Sequence, residues 1–376
     1  MNKAIPIIHI QENEERRLLR GHFWIFKDEV STKDAYGDGE VIDVYNTKGR
    51  FICRGFVQSG EGIFARVLSF HQEEVDKDFF IKRLKTALEL RELLFKGSNA
   101  YRWVHAESDG LPGLIIDRYQ SLVVVNSECK FYTRYENLLI EAISSFDGVK
   151  DIYFKSSETS PKDIPDEVHC NINNLQFVIP IKNAQKTGLF FDQRLNYVYS
   201  QKYMAEANVL DGFCYIGLWS CHAIQAGAKH VTGIDSSHEA ITIARKNLEL
   251  NGYSELADFY DAEIEKYLDN SDEYDVIILD PPAYVKKKKD FKKAFLKYQR
   301  LNSMAMQHIK KGGFLITCSC SHFISPSDFR EIIKRSARNA SKKIRLLEFH
   351  GAAPDHPELL IMPELSYLKC AIFQVF

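Results

Sequence analysis

The chain has 376 residues, 45% of them hydrophobic, and a formal net charge of −2. This is enough for two or three domains with their own cores, but it is not a polycation, so any nucleic-acid contact must come from a local basic patch. The eight cysteines are sparse and form no CxxC pair, which argues against a zinc ribbon or disulfide framework, and no metal is called for. With no signal-peptide pattern at the N-terminus and no run of 18 apolar residues, no membrane association and a reducing cytoplasm are expected.

Residues 1–72 read as short strands. Glu40–Tyr45, Phe51–Val57 and Ile63–Leu68 are β-rich runs broken by Gly37, Gly39, Gly49, Gly60 and Gly62, and together they predict a small β-barrel. Over Asp76–Phe95 the spacing of Phe79, Phe80, Leu84, Ala87, Leu88 and Leu94 predicts a helix ending near Gly97. Residues 73–185 are expected to form a central α+β domain. It has a turn at Leu111-Pro112-Gly113, a strand over Leu122–Asn126 and a loop over Ser157–Asp166 that contains Pro161 and Pro165.

From Val209 short apolar strands alternate with helices. Val209-Leu210, Val231–Ile234, Ala257–Tyr260, Val276–Leu279 and Phe314–Thr317 predict a parallel α/β sheet. The first strand delivers Asp211, and Gly212 and Gly217 allow a tight turn and close approach to a ligand. The second ends at Asp235, 24 residues further on, where a carboxylate can accept from both hydroxyls of a ribose. Ser236 or Ser237 caps the next helix, and Asp261 at the end of the third strand can meet an adenine amino group. Two glycines five apart are not the GxGxxG that cradles a pyrophosphate, so a nucleoside without phosphates fits better.

Asp275–Pro282 is the most specific motif. An apolar strand carries Asp280 to the sheet edge, and Pro281 and Pro282 hold an extended turn that can place a flat base. The next strand runs into Cys318-Ser319-Cys320-Ser321-His322, which puts a thiol beside that turn. A thiolate adding to C6 of cytosine makes the weakly nucleophilic C5 reactive. Strand alternation does not separate Cys318 from Cys320, and Cys320 is taken as the nucleophile.

These residues resemble the RlmI-type large-subunit ribosomal RNA cytosine-C5 methyltransferases over nearly the whole chain. Arg16–Phe26 with Gly49–Gly55 looks like that family's N-terminal PUA domain, an RNA-binding barrel. Glu107–Gly113 with Asp117-Arg118 looks like its central domain, and Lys186–Arg194 with Asn196 is a longer signature. Asp211–Gly217, Asp235, Asp261, Asp280–Pro282, Ser319–Ser321, Asp355–Pro357 and Tyr367–Lys369 follow in order. The resemblance implies a class I methyltransferase fold, that is, a Rossmann-like α/β domain over 186–376 with a mostly parallel seven-stranded sheet. It implies S-adenosylmethionine (SAM) as donor, and large-subunit ribosomal RNA or a subunit precursor as acceptor and partner; it is compatible with a homodimer. Phe190, Asp192, Gln193, Arg194, Phe213, Ser236 and Pro281 join the four aspartates and Gly217 around the cofactor, and Cys320 falls on the family's nucleophile. Asp280 holds the cytosine or serves as base, with Asp355 and His356 as competitors for the base. Leu218 stands where the family often has a second glycine.

Lys286–Lys289 with Lys292, Lys293 and Lys297 put seven lysines in twelve residues. Lys287 and Lys288 are read as phosphate contacts, and Arg20, Trp24, Pro282 and His356 as further RNA contacts. Two alternatives stand beside this reading. Methylation of a base nitrogen is one: an exocyclic-amine enzyme would favour an aromatic directly after the paired prolines, where Ala283 stands with Tyr284 one later, and a related guanine-N7 branch shares the Asp-Pro-Pro turn but resembles this chain less at Cys320. A non-catalytic assembly factor would have lost Cys320 or Asp235, and both are present.

Overall fold

A computed structural model describes residues 4–31, 35–60, 62–155, 164–182, 187–285 and 287–376. Most of the Ser157–Asp166 loop, Lys186 and Lys286 lie outside the described residues. The chain divides into two compact units. The first comprises 1–166, 181–189 and 355–365; the second comprises 167–180, 190–354 and 366–376.

The first unit holds two sheets. Strands β1 (Ile7–His9), β2 (Trp24–Phe26), β3 (Val41–Tyr45), β4 (Phe51–Val57) and β5 (Ile63–Ser69) form one, in the order β1-β3-β4-β5-β2. Helix α1 (Glu15–Leu19) precedes β2, and α2 (Lys77–Leu94) follows β5. Asp76 caps α2 by accepting from the Phe79 N–H at 2.9 Å, so the chain leaves the barrel with a satisfied helix end. Strands β6 (Ala100–His105), β7 (Ile115–Tyr119), β8 (Leu122–Asn126) and β9 (Asp151–Phe154) form the second sheet, with α3 (Lys130–Arg134) and α4 (Glu136–Ser144) between β8 and β9. The two sheets share one core. Phe56 stacks on Phe131 with centroids 4.5 Å apart, and Phe79, Phe80 and Leu84 of α2 are buried in the same cluster.

Two motifs of the sequence explain how this unit is tied together. Glu107 accepts from the Trp24 indole at 2.7 Å and is ion-paired with Arg66. Asp117 is fully buried and pairs with Arg102 at 2.5 Å. The segment 355–365 joins the same network. Asp355 accepts from the Arg102 backbone N–H at 3.1 Å, its carbonyl accepts from Arg91, and His356 bonds its carboxylate at 2.9 Å.

The second unit opens on a hairpin of β10 (Glu167–Ile172) and β11 (Leu175–Pro180), then α5 (Arg194–Ser200). Its sheet contains β12 (Asn208–Gly212), β13 (His230–Asp235), β14 (Ala257–Asp261), β15 (Tyr274–Leu279), β16 (Ile309–Ser319), β17 (Ile344–His350) and β18 (Lys369–Val375). The order is β14-β13-β12-β15-β16-β18-β17, and every neighbouring pair is parallel except those of β18, which runs antiparallel to β16 and β17. Helices α6 (Leu218–Gln225), α7 (His238–Leu250), α8 (Ile264–Leu268), α9 (Phe291–Gln307) and α10 (Pro326–Asn339) make the crossovers. Apart from the edge strand β14, the parallel strands are largely buried on both sides, which is why they read as apolar runs. Strand order reverses between β12 and β15, and such a reversal opens a crevice at the carboxyl ends of the strands.

Candidate active site

The crevice is built from the first turns after β12, β13 and β15. β12 ends at Gly212, which stays in the strand; a Cβ there would meet Ile264 at 3.1 Å and the Ile278 carbonyl at 3.2 Å. Gly212 therefore serves close packing, and the turn expected of it falls on the next residues. Phe213, Tyr215 and Gly217 take φ of 65°, 50° and 82°. Left-handed backbone at two aromatic residues is costly, by about 1–3 kcal/mol each, and such strain concentrates where a loop is shaped for a ligand.

Asp211 lies beneath this turn and not on its rim. It is fully buried, and one carboxylate oxygen accepts from the Ser220 hydroxyl at 2.6 Å. The other oxygen is buried without a hydrogen-bond partner. Burial first, then the nearby Asp280 and Asp235 charges, push its pKa up to about 7. Asp235 ends β13 half-buried and accepts from the Tyr215 N–H at 3.0 Å and the Ser237 N–H at 2.9 Å. Ser237, not Ser236, caps α7 by accepting from the Ala240 N–H at 3.2 Å, and Ser236 is exposed. Asp261 is exposed at the end of β14, 3.4 Å from His238. Phe190 sits against Tyr215 with ring centroids 5.5 Å apart.

Asp280 follows β15, and its carboxylate accepts from two side chains. The Gln193 amide donates to both oxygens at 3.0 Å, and the Trp219 indole donates to one at 3.1 Å. Gln193 is itself oriented by Asn196, whose amide donates to it at 2.6 Å. Asp192 and Arg194 are buried. Asp192 accepts from the Tyr367 hydroxyl at 2.6 Å and Arg194 lies over Phe191 at 5.5 Å, so both brace the wall of the crevice rather than its surface. Pro281 is buried and Pro282 exposed.

The two candidate thiols part at the end of β16. Cys318 lies opposite Cys370 in the sheet and is fully buried, and burial pushes its thiol well up. β16 ends at Ser319, so the chain turns before Cys320. Cys320 is half-buried, the one cysteine of eight that is not buried, and its Sγ lies 3.9 Å from the Pro281 carbonyl oxygen. Tyr298 of α9 supports the turn from below, with its hydroxyl 3.1 Å from the Ser319 hydroxyl and 3.0 Å from that of Ser321. Sequence reasoning missed Tyr298, Trp219 and Ser220, because nothing in a helical run marks which residue reaches a neighbouring strand end.

Of the expected RNA contacts, Lys287 and Lys288 are exposed, with Lys289, Lys292, Lys293 and Lys297. Lys297 lies 4.0 Å over the Tyr284 ring. Arg20 is exposed on the first unit. Two expectations are corrected. Trp24 is half-buried, its indole N–H given to Glu107 and its ring covered by Arg66 at 5.4 Å, so it braces the unit and is not an open stacking platform. His356 is 4% exposed, and its Asp355 partner is fully buried among arginines. Neither presents an exposed surface.

Known proteins are similar at both levels. The S-adenosylmethionine-dependent methyltransferase family matches residues 158–373, and the PUA-like domain family matches residues 8–70. The ribosomal RNA large subunit methyltransferase I of Aeromonas hydrophila is 35% identical, covering 96% of this chain and 97% of that protein. The protein of the same name from Vibrio cholerae is 33% identical, covering 97% and 98%. Among solved structures, a SAM-dependent methyltransferase from Streptococcus mutans superposes with a TM-score of 0.86 at 18% identity, covering 98% of this chain and all of that one. A methyltransferase complexed with S-adenosylhomocysteine gives 0.87 at 18% identity, with the same coverage.

Proposed function

The chain belongs to the family of the ribosomal RNA large subunit methyltransferase I proteins, and from that premise we propose that it forms 5-methylcytosine in large-subunit ribosomal RNA through a covalent bond from Cys320 to cytosine C6. The coarser statement comes with the family: it is a SAM-dependent methyltransferase of ribosomal RNA. We assign residues 1–72 and 73–185 to RNA binding and support, and 186–376 to catalysis.

The crevice residues fit S-adenosylmethionine on two observations. Gly217 is left-handed and a Cβ there would meet Ala244 at 3.2 Å, so the loop closes where only glycine is unstrained. The charge is also suited. The Asp235 and Asp280 charges both act on Asp211, while no lysine or arginine occurs from residue 208 to 228. Such a site favours a sulfonium with an ammonium and disfavours a phosphate. Asp235 takes the ribose hydroxyls, Asp261 the adenine edge, and Phe190, Phe213 and Gly217 the walls.

When bound, the cofactor supplies an electrophilic methyl carbon. The chain's residues prepare the acceptor. The Cys320 thiolate would add to C6 and the C5–C6 π electrons would move onto C5, making C5 the nucleophile for the methyl group that a bound SAM would supply as its methyl–sulfur bond breaks to leave S-adenosylhomocysteine. Loss of the C5 proton to a base and departure of the thiolate restore the ring. Asp280, held by Gln193 and Trp219, orients the base or takes that proton. The observation that carries the reading is the Cys320 sulfur, the most accessible thiol of the chain and beside the Pro281 carbonyl.

The test is ribosomal RNA carrying 5-fluorocytosine, whose C5 substituent cannot leave as a proton. The wild-type protein with SAM should give a denaturation-resistant protein–RNA adduct. Cys320→Ala should give none, while still binding SAM. Methylation by Cys320→Ala, or a product nucleoside methylated on nitrogen, overturns the proposal.

A further inference from the structure

Lys369 is the first residue of β18 and lies directly opposite Ser319, the last residue of β16. Cys320 is the next residue along. Lys369 is only 2% exposed. Its ammonium donates to the Ser321 carbonyl at 2.7 Å and to the Tyr367 carbonyl at 2.6 Å. Among the described residues no carboxylate stands within ion-pair distance of it. Two neutral carbonyls are poor compensation, because a buried charge normally requires an opposite charge.

We propose that Lys369 is a positioning residue for the nucleophile, whose ammonium, pinned by the Ser321 carbonyl just after Cys320 and by the Tyr367 carbonyl of its own segment, stabilises the thiolate of Cys320. This rests on the reading of Cys320 as nucleophile. The other titratable groups around this corner are Asp328 at the start of α10, Tyr298 on α9, Tyr284 and Asp280 after β15, and His322 with Tyr367. Asp328 already accepts from the Ser325 N–H and hydroxyl in the cap of α10. The two charges that act to keep Lys369 protonated are those of Cys320, first, and Asp328. They act against burial, which brings its pKa down to about 8.

The chemistry balances without a change at Lys369. The Cys320 S–H gives its proton to water. The thiolate lone pair forms the S–C6 bond, and on elimination that bond breaks and the pair returns to sulfur. The ammonium keeps its three protons throughout, held one residue from a sulfur that is negative at both ends of the cycle. A cation beside a thiol lowers its pKa and makes the thiolate a better leaving group.

The experiment is iodoacetamide alkylation of the full chain across pH, read at the Cys320 peptide by mass spectrometry. The other seven cysteines are buried. In Lys369→Met the midpoint of the rate profile should move up by about one unit, so alkylation at pH 7 slows ~10-fold while the high-pH limit is kept. Lys369→Arg should hold the midpoint near the wild-type value. An unchanged midpoint in Lys369→Met overturns the proposal. If Lys369→Met does not fold, the reciprocal measurement decides. In Cys320→Ser, which keeps size and exposure, lysine-selective NMR should show Lys369 titrating at lower pH than in the wild type; no change overturns it. Neither readout uses RNA or SAM, so failure of the covalent adduct with RNA is seen separately.

Discussion

The Gln193 side-chain amide donates to both oxygens of the Asp280 carboxylate, each at 3.0 Å. The two residues are 87 apart in sequence, and the bond joins the segment leading into α5 to the Asp-Pro-Pro turn. The Trp219 indole donates to one of the same oxygens at 3.1 Å. Hydrogen bonds to a charged acceptor contribute about 1.5–3 kcal/mol each, so the orientation of Asp280 depends on Gln193 more than on its own backbone.

Gln193→Met keeps the volume and removes the donor. We expect a folded protein with kcat down by ~10- to 100-fold, since misplacement of a reacting group near 1 Å costs about that much. Steady-state kinetics with ribosomal RNA, beside a circular dichroism melt, checks this. Wild-type kcat in the variant would remove Asp280 orientation from the mechanism.

Asp211 makes stability depend on pH in an unusual direction. Its folded pKa is about 7 against an ordinary 3.8, because burial disfavours the charge. The folded state therefore holds this proton more tightly than the unfolded chain, and stability falls as pH rises from 3.8 to about 7. Asp211→Asn cannot ionise. It should be more stable than the wild type at pH 8, by on the order of 1–2 kcal/mol, and show no gain at pH 4. Urea denaturation at the two pH values measures the difference, and an equal effect at both would contradict the assignment.

Tyr298 bridges Ser319 and Ser321 on either side of Cys320, from a fully buried position. Tyr298→Phe leaves two hydroxyls with one partner fewer and no access to water. The expected cost is about 1–3 kcal/mol of stability. Because the bridge spans Cys320, the proposed nucleophile, kcat should fall while the KM for SAM stays within about twofold. A purely structural tyrosine would lower stability alone.

Lys287 and Lys288 stand exposed after the Asp-Pro-Pro turn. Lys287→Glu with Lys288→Glu should weaken RNA binding and reduce the slope of log K against log salt by about 0.7–0.9 for each phosphate that is no longer neutralised. Filter binding between ~50 and ~200 mM salt covers the range in which such charge pairing matters. Unchanged affinity and slope would assign the run to solvent.

Much of the architecture is legible in the sequence because it rests on local rules. The parallel strands from Val209 to Thr317 are short apolar runs, and such runs follow from burial on both faces. Asp76, with a helical run after it, marks α2, because a cap acts over three residues. Residues 344–350 and 369–375 do not stand out as strands. β17 is largely exposed, and β18 follows a long irregular segment, so neither carries a clean period.

The sequence by itself determined the order of the chemical groups: an acid at each strand end, Asp-Pro-Pro after the fourth strand, and two thiols after the fifth. It could not say which groups reach the surface. Only the tertiary structure put Asp211 under the turn, separated Cys318 from Cys320, and brought Lys369 to the carbonyl next to Cys320 from a strand that runs the other way. The reason is physical. Residue type and spacing act within a few residues, whereas burial and charge proximity are set by what packs from elsewhere in the chain.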